Sequence, residues 1–269
     1  MSFKTLLTHI DPSENSALDD SFATPFMLAE AHSASLSALV FPIEMEAADT
    51  NSGSRTPASE EESTIHQLRI AAERRGINCT IKGRSSFAYG CGEIFADHLR
   101  VSDLGIFTQH ANRGIGQRIL LSSAIFDTGR PVLIVPHGKP LLAPPSRVLV
   151  AWDSTPAAVR AVHGALPLIR NAKETLVVSI TDDKELRHGQ SGIELAHLLA
   201  RHGAKARFSA VQREHRSVLE TILATAEDNQ ADLVVLGAVR HSPLHSIIFG
   251  SATQEMMDRG VRAATLVSA

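Results

Sequence analysis

Short apolar runs, each closed by a turn, alternate with longer amphipathic stretches along the whole chain. In the second half the runs fall at about 147–152, 174–180, 205–211, 232–237 and 263–268. The stretches between them cover about 156–170, 190–202, 216–228 and 251–259. Leu176, Val177 and Val178 stand together, as do Leu233, Val234, Val235 and Leu236, with no polar residue between them. A strand covered on one face alternates apolar and polar side chains, whereas an unbroken apolar run suits a parallel strand covered on both faces. Strand and helix in alternation therefore predict a doubly wound parallel α/β sheet, whose ligand crevice lies beyond the carboxyl ends of the strands where their order reverses. Thr155 followed by Pro156 predicts a helix N-terminus, and Gly203 a helix end.

The first half repeats this order less cleanly, with runs at 4–9, 36–42, 77–82, 103–108 and 131–135. The runs opening at Lys4 and Arg147 each lead to an acid, Asp11 or Asp153. Ser-Asp-Leu-Gly-Ile-Phe at 102–107 answers Ala-Asp-Leu-Val-Val-Leu at 231–236, which puts Asp103 and Asp232 129 residues apart. Ser123-Ala124 answers Ser251-Ala252 at a separation of 128. Matches in one order at near-constant spacing predict a duplication. We therefore expect two tandem five-stranded domains over 1–140 and 141–269, joined through the Pro-rich stretch 137–146. A Ser-, Ala-, Glu- and Thr-rich insertion at 44–63 reads as a mobile surface loop.

Composition narrows the function. The 269 residues suffice for two domains of ordinary size. A net charge of −3 with acids and bases interspersed provides neither a nucleic-acid-binding field nor a polybasic membrane patch. Two cysteines, Cys79 and Cys91, without a CxxC pair argue against a disulfide framework or structural zinc and for a reducing compartment. With no signal-peptide pattern and no apolar run of membrane-spanning length, a cytoplasmic location is expected.

The chemistry concentrates in one loop, from Leu236-Gly237 through Arg240 to Gly250-Ser251. It leaves a buried strand and enters a helix near Ser251. Glycine lets the backbone approach a ligand, and the amides of a first helical turn, with the helix dipole behind them, suit a phosphate. Ser251 adds a hydroxyl donor. His241 and His245 have no cysteine or acid at metal-ligand spacing and read as surface residues. There is no general-base pair, Walker lysine or carboxylate cluster, so no catalytic or metal-binding residue is assigned.

Gly237, Gly250 and Ser251 at these spacings, with the strand-to-acid opening at 148–153, resemble the universal stress protein family, whose ATP signature is Gly-x2-Gly-x9-Gly-(Ser/Thr). The resemblance implies an adenine nucleotide alpha hydrolase-like fold and a stress-response protein that acts by binding adenine nucleotide, ATP with or without Mg, in its C-terminal domain. Asp153 would contact the adenosine moiety and Ile180 would line the adenine pocket. Arg240 stands where the family has its second glycine. If that position requires a left-handed backbone, arginine costs roughly 1–2 kcal/mol; alternatively its guanidinium pairs with a phosphate. Both readings stay open, and a regulatory or scaffolding module without nucleotide is the alternative. In the first half Thr108 and Ser122 replace two of the glycines, while Gly114 and Gly116 lie at the wrong spacing, which marks a degenerate, structural copy. Family members dimerise through their last strands, so the resemblance implies that 131–135 and 264–268 pair as an intrachain pseudo-dimer and leaves room for a homodimer.

Overall fold

The computed structural model describes residues 2–13, 18–43, 57–83, 90–109, 114–182, 191–239 and 252–269. The first elements are β1 (Thr5–Ile10), α1 (Leu18–His32), β2 (Ser35–Val40), α2 (Pro57–Arg74), β3 (Cys79–Gly83), α3 (Cys91–Arg100), β4 (Leu104–Gln109), α4 (Ile115–Phe126) and β5 (Val132–Pro136). They are followed by β6 (Arg147–Ala151), α5 (Pro156–Ile169), β7 (Glu174–Ile180), α6 (Ser191–Arg201), β8 (Ala206–Val211), α7 (Val218–Asp228), β9 (Leu233–Gly237), α8 (Ala252–Arg259) and β10 (Ala264–Ser268). The α/β class, with mostly parallel strands, is the one the alternating pattern predicts. The contacts divide the chain into two compact units, one of Ser2–Arg130 and His137–Leu142, the other of Pro131–Pro136 and Ala143–Ala269.

In the first unit four parallel strands run in the order β3-β2-β1-β4. Leu7, Leu39, Phe95, Phe107 and Leu120 are fully buried around them. The carboxylate of Asp103 accepts from the amides of Lys4 (2.7 Å) and Thr5 (3.0 Å), which fixes the start of β1 beside β4. Residues 57–63 belong to α2, a correction to the loop expected there; 44–56 lie outside the described residues. The sequence Ser-Glu-Glu-Glu-Ser at 59–63 looks like a solvated linker. The helix nevertheless forms, because Pro57 opens it, Glu60 lies in its positive first turn, and Thr64, Leu68 and Ala72 bury one stripe.

In the second unit the order is β5-β10-β9-β6-β7-β8. The five strands from β10 to β8 are parallel, and β5 adds a sixth, antiparallel to β10, with Val132 opposite Val267 and Ile134 opposite Thr265. This is the pairing expected of 131–135 with 264–268. Asp232 repeats the role of Asp103: its carboxylate accepts from the amides of Ser146 (2.8 Å) and Arg147 (2.9 Å) at the start of β6. Val150, Val177, Val234, Val235 and Leu266 are wholly buried, as their unbroken apolar runs require. Thr155 caps α5 by accepting from the amide of Ala158, with Pro156 next in line, and Gly203, at φ +89°, follows the end of α6. Cys79 and Cys91 are not joined in a disulfide, and each is half-buried. Among the described residues no helix is long and apolar enough to cross a membrane, and no group of three His, Cys, Asp or Glu side chains could hold a metal.

Candidate functional site

Chain order reverses at β6: the chain runs outward through β7 and β8, then returns to place β9 on the other side of β6. The carboxyl ends of β6, β7 and β9 therefore border one crevice, the position at which doubly wound sheets take ligands. Val148 pairs with Leu233 and Val150 with Val235 on one side; Ala151 pairs with Val178 on the other. Carrying these registers two residues on brings Trp152 level with Gly237, and Asp153 level with Ile180. Three of the residues singled out in the sequence thus meet at one edge. Arg240, Gly250 and Ser251, with His241 and His245, lie outside the described residues.

Asp153 is exposed and held by its neighbour. Its Oδ1 accepts from the Thr155 amide (3.0 Å) and from the Thr155 hydroxyl (2.7 Å), while Thr155 Oγ1 accepts from the Ala158 amide (3.2 Å). The carboxylate is fixed at the positive end of α5, and its second oxygen has no partner among the described residues. Ile180, half-buried, closes β7 opposite Val211. Gly237 closes β9 against α5. A Cβ there would stand 2.7 Å from the carbonyl carbon of Ala157 and 2.9 Å from Ala158 Cα, closer than real Cβ atoms come, so only glycine lets strand and helix meet this tightly. The chain beyond Gly237 is fastened by the Ala238 amide donating to Ser268 O (2.8 Å) and the Val239 amide donating to Thr253 Oγ1 (3.2 Å). Thr253 is buried in the first turn of α8.

Three further residues at this edge carry no motif. Trp152 is pinned along its main chain, its amide donating to Val178 O (2.8 Å) and its carbonyl accepting from the buried Ser179 hydroxyl (2.8 Å). Its indole Nε1 donates to Ser191 Oγ (3.1 Å), and Ser191 Oγ shares a 2.6 Å hydrogen bond with Ser154 Oγ. Ser154 has φ +62°. Position 191 lies 37 residues beyond position 154. No spacing rule joins them, which is why the sequence is silent about the pair.

The first unit has the same turn in a different state. Asp11 Oδ1 accepts from the amide (3.0 Å) and hydroxyl (2.6 Å) of Ser13, as Asp153 does from Thr155. Its other oxygen accepts from the Ile43 amide (3.1 Å), and Asp11 is buried. Ile43 in turn sits on Gly116 at the start of α4: a Cβ on Gly116 would meet Ile43 Cγ2 at 2.6 Å and its carbonyl oxygen at 2.9 Å. The carboxylate that remains half-free in the second unit is here fully used by the protein.

The universal stress protein family model matches residues 145–260. No curated protein matches the chain. Among solved structures the chain is similar to a universal stress protein from Archaeoglobus fulgidus DSM 4304, at 18% identity and TM-score 0.71 over 98% of this chain and 95% of that one. It is also similar to a putative universal stress protein from Pseudomonas aeruginosa UCBPP-PA14, at 15% identity and TM-score 0.64 over 99% and 93% of the two chains. A functionally unknown protein from Pseudomonas aeruginosa PAO1 aligns at 15% identity and TM-score 0.62 over 99% and 92%. At such identities the likeness is one of fold.

Proposed function

We propose, from the match of the universal stress protein family model to residues 145–260, that the second unit binds an adenine nucleotide, ATP with or without Mg, and acts in a stress response through binding instead of turnover. The observation that carries the reading is the Gly237–α5 contact beside the Thr155-braced carboxylate of Asp153, at the edge of the second unit where strand order reverses. Asp153 would take the ribose of the nucleoside through its outer oxygen and Ile180 would give the base an apolar wall. Arg240, Gly250 and Ser251 would take the phosphates. The first unit serves as a structural partner, since Asp11 and Ile43 satisfy each other there. The antiparallel β5–β10 pair supports an intrachain counterpart of the family's dimer. The cytoplasm is the location we assign.

The test is direct. Protein denatured fresh from purification should release ADP or ATP, and titrated ATP–Mg should raise its stability by about 2.7 kcal/mol at a hundred times Kd. No released nucleotide and no shift at millimolar ATP would leave the scaffold reading in its place. Replacing Arg240 with glycine should tighten ATP binding; unchanged or weaker binding would mean that the arginine assists the phosphates.

A further inference from the structure

Ser154 is held at φ +62°, in the left-handed region that a residue with a Cβ enters only at a cost of roughly 1–2 kcal/mol. Something must hold it there, and among the described residues the one side-chain bond it makes is to Ser191 Oγ at 2.6 Å. Ser191, the first residue of α6, is also the acceptor for the Trp152 indole. Trp152 cannot drift, because the main chain of β7 and the Ser179 hydroxyl grip its amide and its carbonyl. The residue between the two arms of this contact is Asp153. Its backbone is bounded by a fixed tryptophan on one side and a left-handed serine on the other, while its carboxylate is braced by Thr155.

We infer that Trp152, Ser154 and Ser191 form a latch that holds the Asp153 turn in its ligand-accepting shape and couples that turn to the start of α6. Ser154 and Ser191 are positioning residues: they act through Asp153. With the latch closed, the left-handed backbone at 154 directs the outer oxygen of Asp153 into the crevice. With it open, Ser154 relaxes toward negative φ and the carboxylate swings with it. The proline at the matching place in the first unit, Pro12, is barred from a positive φ by its ring. There, among the described residues, the turn has no such latch, and Asp11 is spent on Ile43. The latch is thus specific to the unit whose carboxylate is left half-free.

The ligand arm of this inference rests on the nucleotide reading; the structural arm does not. The chain has a single tryptophan, so its fluorescence reports this site alone. In ligand-free protein, Ser191→Ala should shift the Trp152 emission maximum by several nanometres and lower the denaturation midpoint followed at that wavelength. Ser154→Gly should leave or raise the midpoint, because glycine takes φ +62° unaided. The two substitutions should be non-additive, the loss caused by Ser191→Ala shrinking by at least half when Ser154→Gly is already in place. An unchanged emission maximum, or strict additivity, overturns the latch. In the ligand arm, Ser191→Ala should weaken ATP binding about tenfold, and the double variant should recover to within about threefold of the original. If ATP fails to bind any of these proteins, the nucleotide reading falls and the ligand-free cycle still decides the latch.

Discussion

Gly237 and Ala158 meet backbone to backbone: the Cα of the glycine lies where any Cβ would drive into the first turn of α5, 2.9 Å from Ala158 Cα and nearer still to its amide nitrogen. Gly237→Ala cannot be relieved by a side-chain rotation, because the obstructing atoms are main chain. It is predicted to cost about 2–3 kcal/mol, at the upper end of ordinary overpacking. ATP binding should be lost along with it. Denaturation followed by Trp152 fluorescence gives the first quantity, and a variant of undiminished stability would contradict the contact.

Thr155 has two tasks that can be separated. Thr155→Ala removes the cap of α5 and should lower stability by about 1 kcal/mol. It also releases Asp153, so ATP affinity should drop further than stability explains. Thr155→Ser restores the hydroxyl and should return both. Equal behaviour of the alanine and serine variants in a binding titration would show that the hydroxyl is idle.

Asp103 and Asp232 make the same clasp in the two units, each joining two amides at the start of the leading strand. Either aspartate replaced by alanine leaves two donors without their charged acceptor, a loss of about 1–3 kcal/mol. Burial works against the charge on Asp103, yet the amides of Lys4 and Thr5, the Thr5 hydroxyl and Arg130 together hold its carboxyl below the ordinary carboxylate range. A carboxyl lowered in the folded state contributes stability at neutral pH and loses it as the pH falls through the folded value. Asp103→Asn should therefore flatten the acid limb of the stability curve below about pH 4. An acid limb as steep as the parent's would refute this.

His32 titrates the other way from a histidine gaining a partner. Burial, aided by the charge of Lys4, pushes its pKa below 6.5, and its ring packs edge-on to Phe3 at 4.9 Å. Between the folded value and 6.5 the unfolded chain binds more protons, so stability falls as the pH drops below about 6.5, by at most about 1.4 kcal/mol per pH unit. His32→Gln should reduce that slope. Circular dichroism at pH 7 and pH 5 is the measurement, since the first unit has no tryptophan; identical slopes for parent and variant would exclude His32 as the source.

How much of this can be read from the chain depends on the reach of each interaction. β7 is legible to the residue, because an unbroken apolar run ended by polar residues has one reading. The Thr155–Pro156 cap and the Gly203 stop are equally plain, since capping is settled within four residues. The Asp103–Asp232 match proves to be a shared hydrogen-bonding role. The Ser123–Ala124 and Ser251–Ala252 pairs stand at different distances from the strands that follow: Ser123 precedes Val132 by nine residues and Ser251 precedes Ala264 by thirteen. The second half has four more residues between its Ser-Ala pair and its last strand, and a two-residue match of small side chains cannot detect them. The start of α2 is hidden because its exposed face is written in the same Ser and Glu as a linker. Ser191 is beyond reach altogether, its partnership with Trp152 and Ser154 being created by packing alone.

The antiparallel pairing of β5 with β10 bears on any attempt to divide the chain. A fragment made to begin at the second repeat would carry every residue of the nucleotide signature and still lack the strand that shields β10. Its bare backbone donors and acceptors would invite a second copy to dock edge to edge. Self-association of such a fragment would therefore be a product of the cut, and no guide to the assembly of the intact molecule.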